Sequence, residues 1–129
     1  AKAAMRNAIK GIDKTQIGFV NAHGTSTPAG DEIEYSAILD VLGPTEIVSC
    51  KSKIGHTMGA CGMIEAIYSI LALKQGTIPD NHNLNVCSFD LEKIITNTNR
   101  VTDKRFAINN SFGFGGKCAS QVIEINEAE

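Results

Sequence analysis

The stretch TMGACGMIEAIYSILALKQG, residues 57–76, constrains the fold more than any other part of the chain. It predicts a helix that is apolar nearly all round, and such a helix is expected to be buried on most sides. Its one acidic residue, Glu65, interrupts the apolar run, which is too short to indicate a membrane span. The chain therefore has to build layers around this helix.

Helical and strand-like segments alternate along the chain, which indicates an α/β layered sheet. Helices are predicted at residues 2–10, 28–43 and 57–76, and strands at 16–22, 45–50 and on both sides of a glycine-rich turn within 105–126. A polar, irregular connection is expected over 78–93. The order is α-β-α-β-α-β-β with a final antiparallel pair, in one domain spanning residues 1–129.

The second predicted helix has an apolar face and an acidic start. Asp31 can cap this helix, and Glu34 can reach back from the next turn. The residues expected on its apolar face are Ile33, Ala37, Ile38, Val41 and Leu42.

Composition excludes several classes of function. A net charge of −2, a pI near 5.9 and 5% aromatic residues argue against nucleic acid or an anionic membrane as a partner. The four cysteines form no C-x-x-C pair, so we expect no metal site and reduced thiols. The first 16 residues resemble a short amphipathic helix and not a secretory signal.

Two histidines lie in matching contexts, each in a polar loop between a predicted strand and a helix. His23 follows IGFVNA, and His56 follows EIVSCKSKIG. If the two strands are neighbours, both imidazoles emerge at one edge of the sheet, where neutral N–H groups can stabilise an enolate or oxyanion. The positive start of the 57–76 helix would keep His56 neutral. A packing or capping role remains the alternative for both, and His82 is predicted to be a surface residue.

Two further features accompany the histidines. Lys51 and Glu65 can form an ion pair that braces the His56 loop, although a solvated lysine and an outward-facing glutamate fit the pattern equally well. The segment NNSFGFGG, 109–116, can supply an oxyanion donor and an apolar gate, or simply a glycine-rich turn with a core phenylalanine. No serine or cysteine lies in a recognisable nucleophile setting.

Together, VNAHGTSTPAGDEIE, KSKIGHTMGACGMIEAIYSILALKQGTIPDNHNL and NNSFGFGG resemble the elongating, two-histidine β-ketoacyl-[acyl-carrier-protein] synthases of type II fatty-acid synthesis. The resemblance covers nearly the whole chain. It implies the C-terminal half of a thiolase-like fold, in which two similar halves pack their sheets around buried helices.

The resemblance also implies residue roles. His23 and His56 would polarise the thioester carbonyl of malonyl-carrier protein and stabilise the enolate left by decarboxylation. Lys51 and its acidic partner Glu65 would orient the site. The other roles fall to Thr25 and Thr27, which would bind the phosphopantetheine arm, and to Phe112, the gate whose N–H is half of an oxyanion hole.

The chain departs from the family pattern in two ways. The family's nucleophilic cysteine lies in its N-terminal half, and none of the four cysteines here matches it. Where the family usually continues GFGG with Thr-Asn, this chain has Lys117-Cys118, which changes how the glycine loop is braced. The chain alone is therefore expected to be inactive, and a degenerate, partner-binding synthase half is the alternative interpretation.

Partners and location follow from the same resemblance. The implied partners are acyl carrier protein, the N-terminal half of the synthase and, in the full-length enzyme, a second copy. No cofactor is expected beyond the phosphopantetheine that carries the substrates. The expected location is the cytoplasm or the lumen of an organelle of bacterial origin. A polyketide synthase, which uses the same condensation chemistry, is the alternative to an enzyme of fatty-acid synthesis.

Overall fold

A four-stranded sheet with helices on both faces forms the centre of the protein. The computed structural model describes residues 1–89 and 98–126, so residues 90–93 of the predicted connection lie outside the described residues. The helices are α1 (Lys2–Ala8), α2 (Pro28–Leu42), α3 (Lys51–Ile54) and α4 (Cys61–Lys74). The strands are β1 (Ile17–Asn21), β2 (Ile47–Val48), β3 (Thr77–Ile78), β4 (Arg100–Val101), β5 (Phe106–Gly113) and β6 (Lys117–Glu124).

The sheet order is β2-β1-β5-β6, and it confirms the predicted layered α/β arrangement. β1 pairs in parallel with β2 and with β5, whereas β5 and β6 form the expected antiparallel pair around the glycine-rich turn. The two histidine-bearing segments thus follow neighbouring parallel strands. A separate antiparallel pair, β3 with β4, was not predicted.

The side chains of β1 alternate between two apolar clusters, as expected for a strand buried on both faces. Val20 packs with Ile38 of α2 in one cluster, and Phe19 packs with Leu73 of α4 in the other. Phe19, Val20 and Ile38 are fully buried. This two-sided burial explains why β1 reads as a continuous apolar run.

The prediction that α4 is buried on most sides is wrong for this chain. Cys61, Glu65, Ser69, Ala72 and Leu73 form its buried face. Its other side exposes an apolar surface, the α4 outer face, made of Met63, Ile67, Ile70 and Leu71. No residue in the described part of the chain covers that face. Across the same described ranges, no helix combines the length and apolarity needed to cross a bilayer.

The expected details of α2 also need correction. Ile33 is 65% exposed, and Glu34 takes the buried position beside it with 5% exposure, while Ala37, Ile38 and Val41 are buried as predicted. The helix cap is Thr27 and not Asp31. Asp31 lies in the first turn and accepts a hydrogen bond from the backbone N–H of Ser26 at 3.2 Å.

The segment between β2 and α4 is more helical, and its strand shorter, than predicted. β2 contains two residues, and the expected loop after it begins with the short helix α3. A 3₁₀ turn, Met58–Ala60, then leads into α4. These short elements hold few local hydrogen bonds, so their geometry depends on tertiary contacts.

The α4 outer face predicts concentration-dependent self-association of the isolated chain. Contact between two copies would remove these apolar side chains from water, which is favourable. Ile67→Glu should shift the chain toward monomer in light scattering. Val86→Glu is the matched control, since Val86 is 85% exposed and lies outside that face. A wild-type chain that remains monomeric at high concentration would contradict this prediction.

Candidate active site

His23 lies two residues beyond the end of β1, in a loop held tightly against the segment that follows β2. Gly24 has φ +42°, and a Cβ there would lie 2.9 Å from Ser49 Cβ. The Ser49 hydroxyl donates to the carbonyl of Gly24 at 3.2 Å. The glycine thus permits the close approach that brings the two loops together.

His56 lies beside His23, as the neighbouring strands predicted. The ring centroids are 5.7 Å apart, and the planes are nearly perpendicular at 89°. The backbone N–H of Met58 donates to His56 Nδ1 at 3.1 Å. Nδ1 is therefore an acceptor, and in the neutral ring the proton resides on Nε2. His56 can offer an N–H donor without carrying a charge.

Lys51 and Glu65 form the ion pair that was one of the two predicted alternatives. Glu65 is fully buried and Lys51 is 9% exposed, so the pair lies inside the protein. The Cys61 thiol also lies against Glu65 Oε1, at 3.3 Å, and 3.4 Å from His56 Nδ1. The pair connects α3 with α4 directly beneath the His56 loop.

The environment keeps His23 neutral. Burial of the ring, followed by the positive charge of Lys51 and the proximity of His56, lowers the pKa of His23 to about 4. The neutral imidazole is then the dominant form at every pH above about 4. Nδ1 of His23 is buried and has no hydrogen-bond partner among the residues that the structure describes.

Phe112 lies beside His23, and the two threonines follow His23 along the chain. The Phe112 ring lies 5.8 Å from the His23 ring, centroid to centroid, with the planes tilted by 49°. Thr25 and Thr27 are in the loop after His23, and their hydroxyl oxygens are 3.4 Å apart. The structure thus brings His23, His56 and Phe112 together, and it places the two threonine hydroxyls next to each other.

Glu34, which was expected to reach back at the start of α2, bonds to the loop of His23, and Asn110 joins it there without having been singled out from the sequence. Glu34 accepts hydrogen bonds from the backbone N–H groups of His23 (2.9 Å) and Gly24 (3.0 Å), and from the Asn110 side chain (3.0 Å). Burial raises the pKa of Glu34, and these three donors oppose that rise. An acid at the seventh position of a helix, next to the residues of its apolar face, was the available signal.

The thiols and metal-binding groups add little to the site. All four cysteines are free. Burial, reinforced by the charge of Glu65, raises the pKa of the Cys50 thiol to about 11, which keeps it protonated near neutral pH. Within residues 1–89 and 98–126, no group of three or more His, Cys, Asp or Glu side chains is arranged to hold a metal ion.

Comparison with known proteins matches residues 1–85 to the family described as "Beta-ketoacyl synthase, C-terminal domain". The chain belongs to the β-ketoacyl synthase family. It is 43% identical over 129 residues to 3-oxoacyl-[acyl-carrier-protein] synthase 2 of Vibrio harveyi and 39% identical over 130 residues to synthase 1 of Escherichia coli K12. Each match covers 95% of this chain and 31% of the relative, so the chain spans about a third of their length.

Solved ketosynthases confirm the thiolase-like fold of this β-ketoacyl synthase domain. A β-ketoacyl synthase from Burkholderia phymatum has a TM-score of 0.87 at 34% identity, covering 98% of this chain and 32% of that one. A ketosynthase in complex with a type II polyketide acyl-carrier protein has a TM-score of 0.89 at 26% identity, covering 98% and 33%.

The low pKa of His23 can be tested by NMR. We expect the ring resonance that disappears in His23→Gln to titrate with a midpoint of about 4. Because the nearby Lys51 charge contributes to this value, Lys51→Met should move the midpoint upward. A midpoint near the ordinary histidine value of about 6.5 in the folded wild-type chain would contradict the site geometry.

Removing the charge of one partner of the buried Lys51–Glu65 pair should lower the free energy of unfolding strongly. Glu65→Gln leaves the Lys51 ammonium buried without its counter-charge, and we expect a loss of about 3–5 kcal/mol in the free energy of unfolding. The double variant Lys51→Met/Glu65→Leu should recover much of that loss. Asp40→Asn, which breaks the exposed Lys2–Asp40 pair, is the control and should change stability little. Equal effects in denaturant titrations would refute the argument.

Proposed function

We propose that this domain supplies the carbonyl-binding half of a decarboxylating condensing enzyme. The enzyme would lengthen a carrier-bound acyl chain by two carbons, using malonyl-carrier protein and releasing carbon dioxide. The observation that carries the proposal is the perpendicular contact of His23 and His56, which lie in the segments that follow two neighbouring parallel strands. The low pKa of His23 keeps its ring neutral, the bond from Met58 to Nδ1 of His56 leaves Nε2 of that ring as the donor, and donors aimed at one oxygen stabilise a developing enolate.

In the proposed step, the thioester carbonyl of the malonyl group accepts hydrogen bonds from the two imidazoles. The bond to the carboxylate breaks, carbon dioxide leaves, and the electron pair of that bond forms the enolate. The enolate carbon then attacks the acyl thioester, whose thiolate is the leaving group. Because the pKa of His23 is about 4, its ring need not lose a proton before it can act in this way near neutral pH.

The surrounding residues take supporting roles in this proposal. Lys51, paired with Glu65, stabilises the loop of His56 and keeps a positive charge near His23. Phe112 gates the site with its ring and offers its backbone N–H to an oxyanion. Thr25 and Thr27, side by side after His23, bind the amides of the phosphopantetheine arm.

The proposal requires groups from outside this chain. The attacking cysteine, the N-terminal half that would cover the α4 outer face, and the acyl carrier protein are partners. The likeness to a ketosynthase solved with its acyl-carrier protein supports the last of these. We propose no cofactor besides the carrier's phosphopantetheine, and a location in the cytoplasm or an organelle of bacterial origin.

Reconstitution tests this function. The chain would be co-expressed with the part of the Vibrio harveyi synthase that it does not match, and release of carbon dioxide from malonyl-carrier protein would be measured. His23→Ala or His56→Ala should lower the rate roughly 10²–10³-fold, the usual loss for one oxyanion donor. His82→Ala is the matched control and should retain the rate, because His82 lies outside the His23–His56 pair and its backbone N–H, which the substitution keeps, donates to the Ser52 hydroxyl.

The outcomes separate the two interpretations. A stable complex that releases no carbon dioxide would favour a degenerate, partner-binding synthase half. Activity that survives both histidine substitutions would refute the assignment of the site while leaving the family unchanged.

A further inference from the structure

Two asparagines lie side by side in the core where apolar residues would be expected. Asn21, the last residue of β1, is the register partner of Asn109 in the neighbouring parallel strand β5. Both are essentially fully buried. The preceding pair in the same register is Val20 with Ile108, which is apolar. Burial of an amide costs free energy unless its hydrogen bonds are satisfied, so these positions need a reason.

The Asn21 side chain bonds to two other segments. Its Nδ2 donates to the backbone carbonyl of Glu65 and to the hydroxyl of Ser69, each at 3.2 Å. Its Oδ1 accepts the backbone N–H of Cys50, also at 3.2 Å. One side chain on β1 thus contacts both α4 and the residue that precedes α3.

These contacts join the segments that carry the candidate site. His23 follows Asn21 by two residues, Lys51 follows Cys50 directly, and Glu65 both receives the Asn21 bond and pairs with Lys51. Asn109 adds a parallel connection, because its Nδ2 donates to the backbone carbonyl of Gly62 at 3.1 Å. The first two turns of α4 are therefore bonded to the last residue of β1 and to its register partner in the middle of β5.

We propose that Asn21 is a positioning residue that fixes the Lys51–Glu65 pair relative to His23. It touches neither imidazole and acts through main-chain groups. An apolar residue of similar size would fill the space but would leave the Cys50 N–H without this acceptor, and α4 would lose its bond to β1. The consequence for catalysis depends on the proposed function, whereas the placement itself does not.

The test uses the His23 titration, which is independent of activity. The low pKa of His23 arises from burial, Lys51 and His56, and each of these depends on how closely the segments are held. In Asn21→Ala, α4 and Lys51 are freer to move away, so the NMR midpoint should rise by about one unit or more from about 4 toward the ordinary value of about 6.5.

Asn81→Ala is the matched control. Asn81 also binds two main-chain groups, accepting from Ser49 N–H at 2.7 Å and donating to the Ile47 carbonyl at 2.9 Å, but it bonds to the β2 segment and not to α4. Asn81 holds Ser49, whose hydroxyl bonds to Gly24, so we expect a comparable loss of stability with a shift of the His23 midpoint that is clearly smaller than in Asn21→Ala, because α4 stays bonded to β1. A purely structural role for Asn21 would give a midpoint shift no larger than that of Asn81→Ala at a comparable loss of stability.

A milder variant keeps the proposal testable if Asn21→Ala does not fold. Ser69→Ala removes one acceptor of Asn21 and should raise the midpoint by a smaller amount in the same direction. In the reconstituted enzyme, Asn21→Ala should lower kcat more than it raises KM. An unmoved midpoint in folded Asn21→Ala, or in Ser69→Ala where the first variant does not fold, would overturn the proposal. An equal shift in Asn81→Ala would overturn it as well.

Discussion

The buried ion pair between Lys51 and Glu65 is the interaction on which the rest of the site depends. A carboxylate with no exposure can remain ionised inside α4 only if a positive charge reaches it. The lysine that does so follows β2, so the β2–α3 segment has to lie against α4. That requirement places His56, five residues further along, beside His23. The same charge helps to keep His23 neutral.

The edge of the sheet where the parallel strands end combines two kinds of support. On one face of the sheet, the Glu34 carboxylate of α2 accepts hydrogen bonds from two main-chain N–H groups of the His23 loop and from the side-chain amide of Asn110. On the opposite face, Asn109 reaches the backbone of α4. Consecutive residues of β5 therefore bond to opposite helices. The loop carrying His23 is held between two helices that the same strand connects.

The sequence predicted the structure correctly where the hydrophobic pattern is strong and where the two interacting segments share the same pattern. The repeated strand–loop–histidine pattern predicted that the imidazoles converge if the two strands are neighbours, and β1 and β2 are neighbours with the two rings side by side. The sequence predicted that Glu34 reaches back from α2 but not its burial or its bond to Asn110, because that donor comes from a distant strand. It also missed β3 and β4, since two-residue strands have no measurable period.

The helix α4 shows a different limit of sequence reasoning. Its composition indicates that a surface has to be covered, but it does not say whether the cover comes from this chain or from another. The structure shows that the described residues cover only one face, the face that contains Glu65. The apolar α4 outer face is thus the part of the pattern that this chain alone does not explain.

The register of Phe112 has a mechanical consequence. This residue is paired opposite Cys118 in the β5–β6 ladder, one rung before the Gly113–Lys117 closure. Its ring can turn about its own side-chain bonds while the ladder stays intact, or it can travel with the backbone if the last rungs separate. The first motion leaves the amide protons of the hairpin protected, whereas the second exposes them to exchange with solvent. The stiffness of the β-hairpin end thereby sets how far the Phe112 ring can move away from His23 without local unfolding.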